Sequence, residues 1–475
     1  MNGRPPRLTV REVRRYERDV RLRMPFRFGA VTLTGAPEAY VRVRVALEGG
    51  GEAWGAAAEM LAPKWFDKDP ALSNEDNYTQ LRTSLALAAD AYTADATPRT
   101  AFGRFAAHYA EQLAACATRG LGPLIAGYGP ALLDRAVLDA LCRLRGVSFW
   151  DAVRANLPGI APAGLLPELA GLDTDAFLGA LRPAASLHAR HTVGLLDPIT
   201  AADRRPGERV GDGLPETLEE VIAAYGHTYF KLKVAGDVRA DLARLGAIAA
   251  VLDRGSAPYH VTLDGNEQYA DVDGVLALWR ALEAAPALGR LVASILFVEQ
   301  PIARRAALER DVAPLAARRP VLIDESDGDL DAFPRARARG YTGVSSKTCK
   351  GLYKSLLNLA RCARWNAQAG APRAFMSAED LTTQAGLAVQ QDLALVALLG
   401  LEHVERNGHH YVNGMAARPA GEQRAFLAAH PDLYVESHGA VRLRIAGGRL
   451  ALGSLGCPGF AVGAEPDWGA MREAA

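Results

Sequence analysis

Between residues 186 and 404 short apolar runs alternate with helical patterns eight times, and no other feature of the 475-residue chain constrains its fold as much. The runs are Ser186–Val193, Tyr229–Val234, Tyr259–Leu263, Ile295–Val298, Val321–Ile323, Val344–Ser346, Ala374–Ser377 and Leu401–Val404. Parallel strands need a long crossover between them, and a helix in each interval supplies it. Eight such units predict an α/β chain with a (β/α)8, TIM-like barrel. The intervals from Lys233 to Asp264, Glu299, Asp324 and Lys347 are 31, 35, 25 and 23 residues, each enough for one helix and the return strand. The longer first interval carries Asp197–Pro215, rich in Pro, Gly, Asp and Arg, which reads as a loop.

The flanks read differently. Leu8–Arg23 is charged with interspersed apolar residues and leads into Met24–Gly29, read as an aromatic loop. Tyr40–Leu47 alternates strictly before Gly49-Gly50-Gly51, as a half-exposed antiparallel strand does before a turn. Trp54–Met60 continues as the next strand and loop. Helical patterns follow near Asn77–Tyr92, Ala101–Thr118 and Leu132–Leu144. Strands followed by helices indicate a separate α+β unit over residues 1–160, with the barrel over 161–414. In the tail, 415–475, Val441-Leu443-Ile445 and Leu450-Ala451-Leu452 flank Gly447-Gly448 and read as a hairpin folded back on the first unit.

Lysine usage carries the chemical signal. The chain holds 7 lysines among 54 basic residues, so arginine serves almost wherever a positive charge suffices. Five of the seven are Lys231, Lys233, Lys347, Lys350 and Lys354. Arginine stays protonated, whereas a desolvated lysine can titrate and act as a base. Lys231 and Lys233 point to one face of the strand Tyr229–Val234. Buried ammonium groups there require anionic partners. The next three strands end in acids: Asp264-Gly265-Asn266, Glu299-Gln300-Pro301 and Asp324-Glu325-Ser326. A lone Asp after a strand commonly caps the following helix. Three in succession, at the barrel face where active sites form, converge instead as hard oxygen ligands for a cation such as Mg2+.

This ordered set, Lys231-x-Lys233, Asp264, Glu299, Asp324 and Lys347, resembles the enolase superfamily in its muconate-lactonizing-enzyme-like subgroup. The resemblance covers most of the chain. Met24–Gly35 and Ala56–Phe66 look like the two loops that close over substrate, Ala136–Leu144 like the last capping helix, and Gly439–Leu452 like the C-terminal hairpin. It implies an N-terminal capping domain completed by the tail, and one Mg2+ (Mn2+ also serves) on Asp264, Glu299 and Asp324. It further implies Lys233 and Lys347 as acid/base groups on opposite faces of a small carboxylate substrate, with Lys231 neutralising that carboxylate. Asn266, Glu325, Phe28 and Trp65 would stand beside the metal or the substrate, and Glu325 competes with Asp324 as third ligand. The implied reaction is α-proton abstraction through an enediolate. Racemisation, epimerisation or cycloisomerisation comes first, and dehydration of an acid sugar or hydroxy acid is the alternative. The seventh strand lacks the histidine of a racemase-type His–Asp dyad. His409 and His410 read as surface residues of a loop, and Lys350 as structural or at a helix start.

Other readings fare worse. A Schiff-base aldolase needs one buried lysine and no metal, so the three carboxylates oppose it. A non-catalytic barrel scaffold would not keep every motif position chemically competent. With 54 acidic and 54 basic residues and no long basic run, nucleic acid is not an expected partner. No apolar stretch reaches the ~18 residues of a membrane span, and Met1–Pro6 lacks an apolar signal segment. Cys116, Cys142, Cys349, Cys362 and Cys457 show no C-x-x-C spacing, which argues against zinc and against a disulfide framework. The expectation is a cytoplasmic homo-oligomer.

Overall fold

The computed structural model describes residues 4–28, 31–204 and 207–474. Met1–Gly3, Gly29–Ala30 and Arg205–Pro206, which fall within the signal-segment, aromatic-loop and insert readings, lie outside them. Strands β1 (Leu8–Phe28), β2 (Val31–Leu47) and β3 (Glu52–Met60) form an antiparallel meander. Helices Asn74–Ala94, Ala101–Ala117 and Tyr128–Arg145 follow the meander, and the last of them packs on β3. Gly55 permits that contact. A Cβ there would stand 2.1 Å from the Ala136 carbonyl oxygen and 2.3 Å from the Ala140 nitrogen, so only glycine lets the helix backbone approach.

The barrel comprises β4 (Ser186–Val193), β5 (Tyr229–Lys233), β6 (His260–Asp264), β7 (Ile295–Glu299), β8 (Val321–Ile323), β9 (Gly343–Ser346), β10 (Phe375–Ala378) and β11 (His403–Arg406). All neighbours pair in parallel, and β11 pairs with β4 to close the ring. Side chains fill it in layers, as such barrels require. At its base, Tyr229 lies against His188, His260 and His403, and Phe297 against Phe375 and His403. Above them, Arg190 on β4 crosses to Ser377 Oγ at 3.1 Å and pairs with Glu379. The functional residues lie above this layer. Among the described residues of Asp197–Pro215 the 3-10 turn Ala201–Asp203 is the one regular element.

Two terminal readings change. Met24–Phe28 is not a loop, because β1 continues to Phe28 and pairs Phe26 with Leu33 and Phe28 with Val31. Pro25, which has no amide to donate, sits at the register shift between Arg21 and Phe26. In the tail the hairpin is β12 (Tyr434–Ser437) with β13 (Ala440–Leu443), whereas β14 (Arg449–Ala451) pairs antiparallel with barrel strand β4. The Gly447-Gly448 turn closes a single antiparallel bridge, Ala446 to Arg449, and carries the chain from the β12–β13 hairpin to the barrel. The last segment does return to the capping domain: β15 (Arg472–Glu473) pairs with β1, and Phe460 stacks on Phe149. Among the described residues no helix is long and apolar enough to cross a membrane.

Candidate active site

Strand register assembles the centre. Lys233 pairs with Asp264, and Asp264 with Glu299, so three charged groups occupy adjacent strands at one level. The Lys233 ammonium lies 2.5 Å from Asp264 Oδ2. Asp324 follows β8, and Lys347 follows β9 with its ammonium 2.7 Å from Asp324 Oδ2. None of the three acids caps a helix. Asp264 Oδ1 instead accepts the Asn266 amide at 2.7 Å in the tight turn after β6. In the strand order, β5 and β9 are separated by four of eight positions. Lys233 and Lys347 therefore face each other across the barrel mouth.

Lys231, one layer deeper and 1% exposed, is a hub. Its ammonium lies 3.0 Å from Asp264, 2.8 Å from Glu299, 2.7 Å from Glu379 and 2.9 Å from Glu405. Glu379 and Glu405 were not among the expected site residues. They are the first acids at the ends of the seventh and eighth barrel strands, so the rule that selected Asp264, Glu299 and Asp324 would have found them. Burial, Asp264 and Glu379 push the Glu299 carboxyl well above the usual range. Burial also opposes ionisation of Asp324, but Lys347 and Lys350 outweigh it and hold that carboxyl below its usual range. The same contact raises Lys347 despite its burial. Lys350, in the turn Thr348–Lys350, lies 3.4 Å from Asp324 Oδ1 and 3.1 Å from Asp327.

The neighbouring pair divides its work. Asp324 lines the central cavity, whereas Glu325 turns aside to accept the Asn266 amide at 2.8 Å and Lys68 at 3.2 Å. The donor set therefore fits a hard dication. Asp264, Glu299 and Asp324 are buried carboxylates on successive strands, and among the described residues no hydrogen-bond donor is aligned on Glu299 Oε2, which lies 2.8 Å from the Lys231 ammonium.

The capping domain shuts the mouth. Phe26, Phe28, Leu33 and Trp65 line the cavity and are at most 6% exposed, leaving about 30 Å³ free. The Trp65 ring lies 4.2 Å from the Lys347 ammonium. Arg304 holds the Trp65 and Phe66 carbonyls at 2.7 Å, and Lys68 reaches Glu267 at 2.6 Å. On the other side, Arg23 clasps Asp212 at 2.6 Å and the His410 carbonyl at 2.9 Å. Lys68, one of the two lysines outside the clusters, thus joins the site only through the tertiary fold. His409 and His410 are not surface residues. They are buried in the turn Gly408–Tyr411, where Tyr411 packs 4.3 Å from Phe26.

The fold resembles several solved structures. A muconate lactonizing enzyme from Mycobacterium smegmatis, complexed with muconolactone, is 17% identical with a TM-score of 0.60, covering 98% of this chain and 100% of its own. The L-Ala-D/L-Glu epimerase from Bacillus subtilis is 17% identical with a TM-score of 0.56, covering 98% and 100%. A dipeptide epimerase from Enterococcus faecalis, complexed with Mg and L-Leu-L-Tyr, is 14% identical with a TM-score of 0.58, covering 95% and 99%. No curated protein sequence matches significantly. The family described as "Enolase C-terminal domain-like" matches residues 213–458, more than half of the chain. Barrel, capping domain and family match lead to one conclusion: the chain belongs to the enolase superfamily, among the relatives of mandelate racemase and muconate lactonizing enzyme.

Proposed function

We propose that the protein is a Mg2+-dependent isomerase, a racemase, epimerase or cycloisomerase, that abstracts the α-proton of a small carboxylate. The observation that carries this reading is the opposition of Lys233 and Lys347 across the mouth, each ion-paired with a different proposed metal ligand. A dication on Asp264, Glu299 and Asp324 would stabilise the charge that develops on the substrate carboxylate as the proton leaves. Lys233 and Lys347 would each hold or receive a proton at Nζ, one on each face of the α-carbon. Lys231 fixes the carboxylates around it and supplies positive charge below the substrate carboxylate. Phe26, Phe28, Leu33 and Trp65 exclude water and favour a substrate with an apolar portion. Dehydration on the same scaffold remains the second reading, because Lys233 and Lys347 on opposite faces would also serve an elimination.

The test is proton exchange in D2O followed by NMR, with each stereoisomer of candidate acids supplied separately. Lys347→Arg keeps the charge and removes the base, so overall turnover should fall by at least ~10²–10⁴-fold. Deuterium should still enter the isomer whose proton faces Lys233. Lys233→Arg should show the opposite selectivity. Near-normal turnover in both variants rules out the assignment, and loss in only one favours single-face elimination or cycloisomerisation.

A further inference from the structure

Three imidazoles meet outside the barrel wall, at the seam where β4 and β11 pair. On β4, Arg190 and Thr192 reach inward to Glu379 and Glu405, so His191 between them faces the opposite way. His227 immediately precedes β5, and His409 lies in the turn after β11. They are 2%, 4% and 8% exposed. One ring nitrogen from each lies within 4.8 Å of the other two. His191 Nδ1 and His409 Nε2 are 3.2 Å apart. The ring centroids are 5.4 Å (His191–His227), 5.2 Å (His191–His409) and 5.1 Å (His227–His409) apart.

The 3.2 Å nitrogen pair and the three centroid spacings suit one tetrahedral ion. With metal–nitrogen bonds of ~2.0–2.1 Å, ligand nitrogens lie roughly 3.3 Å apart and imidazole centroids about 5 Å apart. His227 is also arranged as a ligand. Its Nδ1 faces the Ala189 carbonyl at 2.8 Å, which fixes the ring and, among the described residues, leaves Nε2 buried with no hydrogen-bond partner. A carbonyl on the far nitrogen is the usual orienting contact of a metal-bound histidine. Burial, with neighbouring histidines adding to it at His191 and His409, keeps all three rings neutral, the form that binds metal. A cleft beside Tyr225, Thr383, Gln384, Gly408 and Arg442 reaches His409.

We propose that His191, His227 and His409 form a second metal site, distinct from the carboxylate centre, for a borderline divalent transition ion such as Zn2+. An all-nitrogen donor set suits Zn2+ and its neighbours, whereas Mg2+ prefers oxygen. The cysteine spacing does not bear on this site, whose three donors are all imidazole nitrogens. These histidines stand 36 and 182 positions apart in the sequence and form no motif. The bound ion would tie the first barrel strand to the entry of the second and the exit of the last.

Full-length protein saturated with Mg2+ is titrated with Co2+ and then Zn2+. The expected result is a single equivalent giving the intense visible bands of four-coordinate Co2+, displaced by Zn2+ and retained in Glu299→Gln. His227→Gln and His409→Gln should each weaken Zn2+ binding by at least ~10-fold. A weak six-coordinate spectrum alone, or bands lost with Glu299→Gln and kept in the histidine variants, overturns the proposal. Should those variants fail to fold, wild-type crystals soaked with Zn2+ in excess Mg2+ decide it. An anomalous peak between the three imidazoles supports the site, and its absence rejects it.

Discussion

Replacing Lys231 with methionine probes the electrostatics of the centre most directly. The side chain keeps its length and loses its charge, so four buried carboxylates, Asp264, Glu299, Glu379 and Glu405, lose the ammonium they share. Two keep another cation: Lys233 stays on Asp264, and Arg190 on Glu379. Glu405 keeps the Thr192 hydroxyl at 2.6 Å and the Asp380 amide at 2.9 Å. Glu299 keeps no ion pair among the described residues, but burial already raises its carboxyl and a proton there relieves one charge. The net result is therefore one uncompensated buried carboxylate, and breaking such a pair costs about 3–5 kcal/mol. At about 2–4 °C per kcal/mol for a domain of this size, Tm should fall by about 6–20 °C. The assay is differential scanning calorimetry at neutral pH without divalent cation, with circular dichroism to establish that the variant is folded. Adding Mg2+ should stabilise the variant more than the wild type, because the Lys231 ammonium no longer repels a dication beside Asp264 and Glu299. A Tm within about 2 °C of wild type without Mg2+ refutes the reasoning, since a shift that small corresponds to less than about 1 kcal/mol.

Three further outcomes follow. Glu299→Gln should leave Tm unchanged or raised, because it removes a buried charge, yet lower activity at least ~10²-fold through loss of the metal's charge stabilisation; full activity after chelation contradicts it. Lys68→Met should lower kcat/KM by roughly 5–30-fold, the equivalent of about 1–2 kcal/mol for its charged hydrogen bonds, with a much smaller effect on Tm. An equal loss in both would mark Lys68 as merely structural. Asp134, buried against the Tyr92 hydroxyl at 2.8 Å, is pushed up to about 8 by burial, from an ordinary 3.8. The folded state thus holds this proton after the unfolded chain has released it, so its contribution is full below pH 4 and is lost as pH rises to about 8. The slope from this group is about 1.4 kcal/mol per pH unit, and denaturant titrations of Asp134→Asn across that window should lack it.

Why the carboxylates and lysines were legible is a matter of geometry. Residues of one strand alternate faces, and the first charge after an apolar run stands at the barrel mouth. Lys231, Lys233, Asp264, Glu299, Asp324 and Lys347 stand where that rule puts them, in two bonded sets: Lys231 and Lys233 with Asp264 and Glu299, and Lys347 with Asp324. Glu379 and Glu405 obey it too, but neither belongs to the ordered Lys231–Lys347 set that carries the family resemblance. The ribbon of β1 and β2 misled for a different reason. Met24, Phe26 and Phe28 alternate with Pro25 and Arg27 as strand residues do, but Pro25 interrupts the run, and the buried aromatics Phe26 and Phe28 face the barrel mouth.

The sequence by itself determined the barrel, a separate α+β unit before it and the inward-facing charges, because strand periodicity and helix-length intervals are local properties that survive in one dimension. Tertiary structure alone decided which charges touch. Lys68 meets Glu267 and Glu325, Arg304 holds the Trp65 loop, and Lys231 gathers acids from four strands, across separations that no window of sequence spans. The histidine cluster lies wholly in this second category. Closing the barrel brings β4 beside β11, and only that closure places His191 and His409 3.2 Å apart.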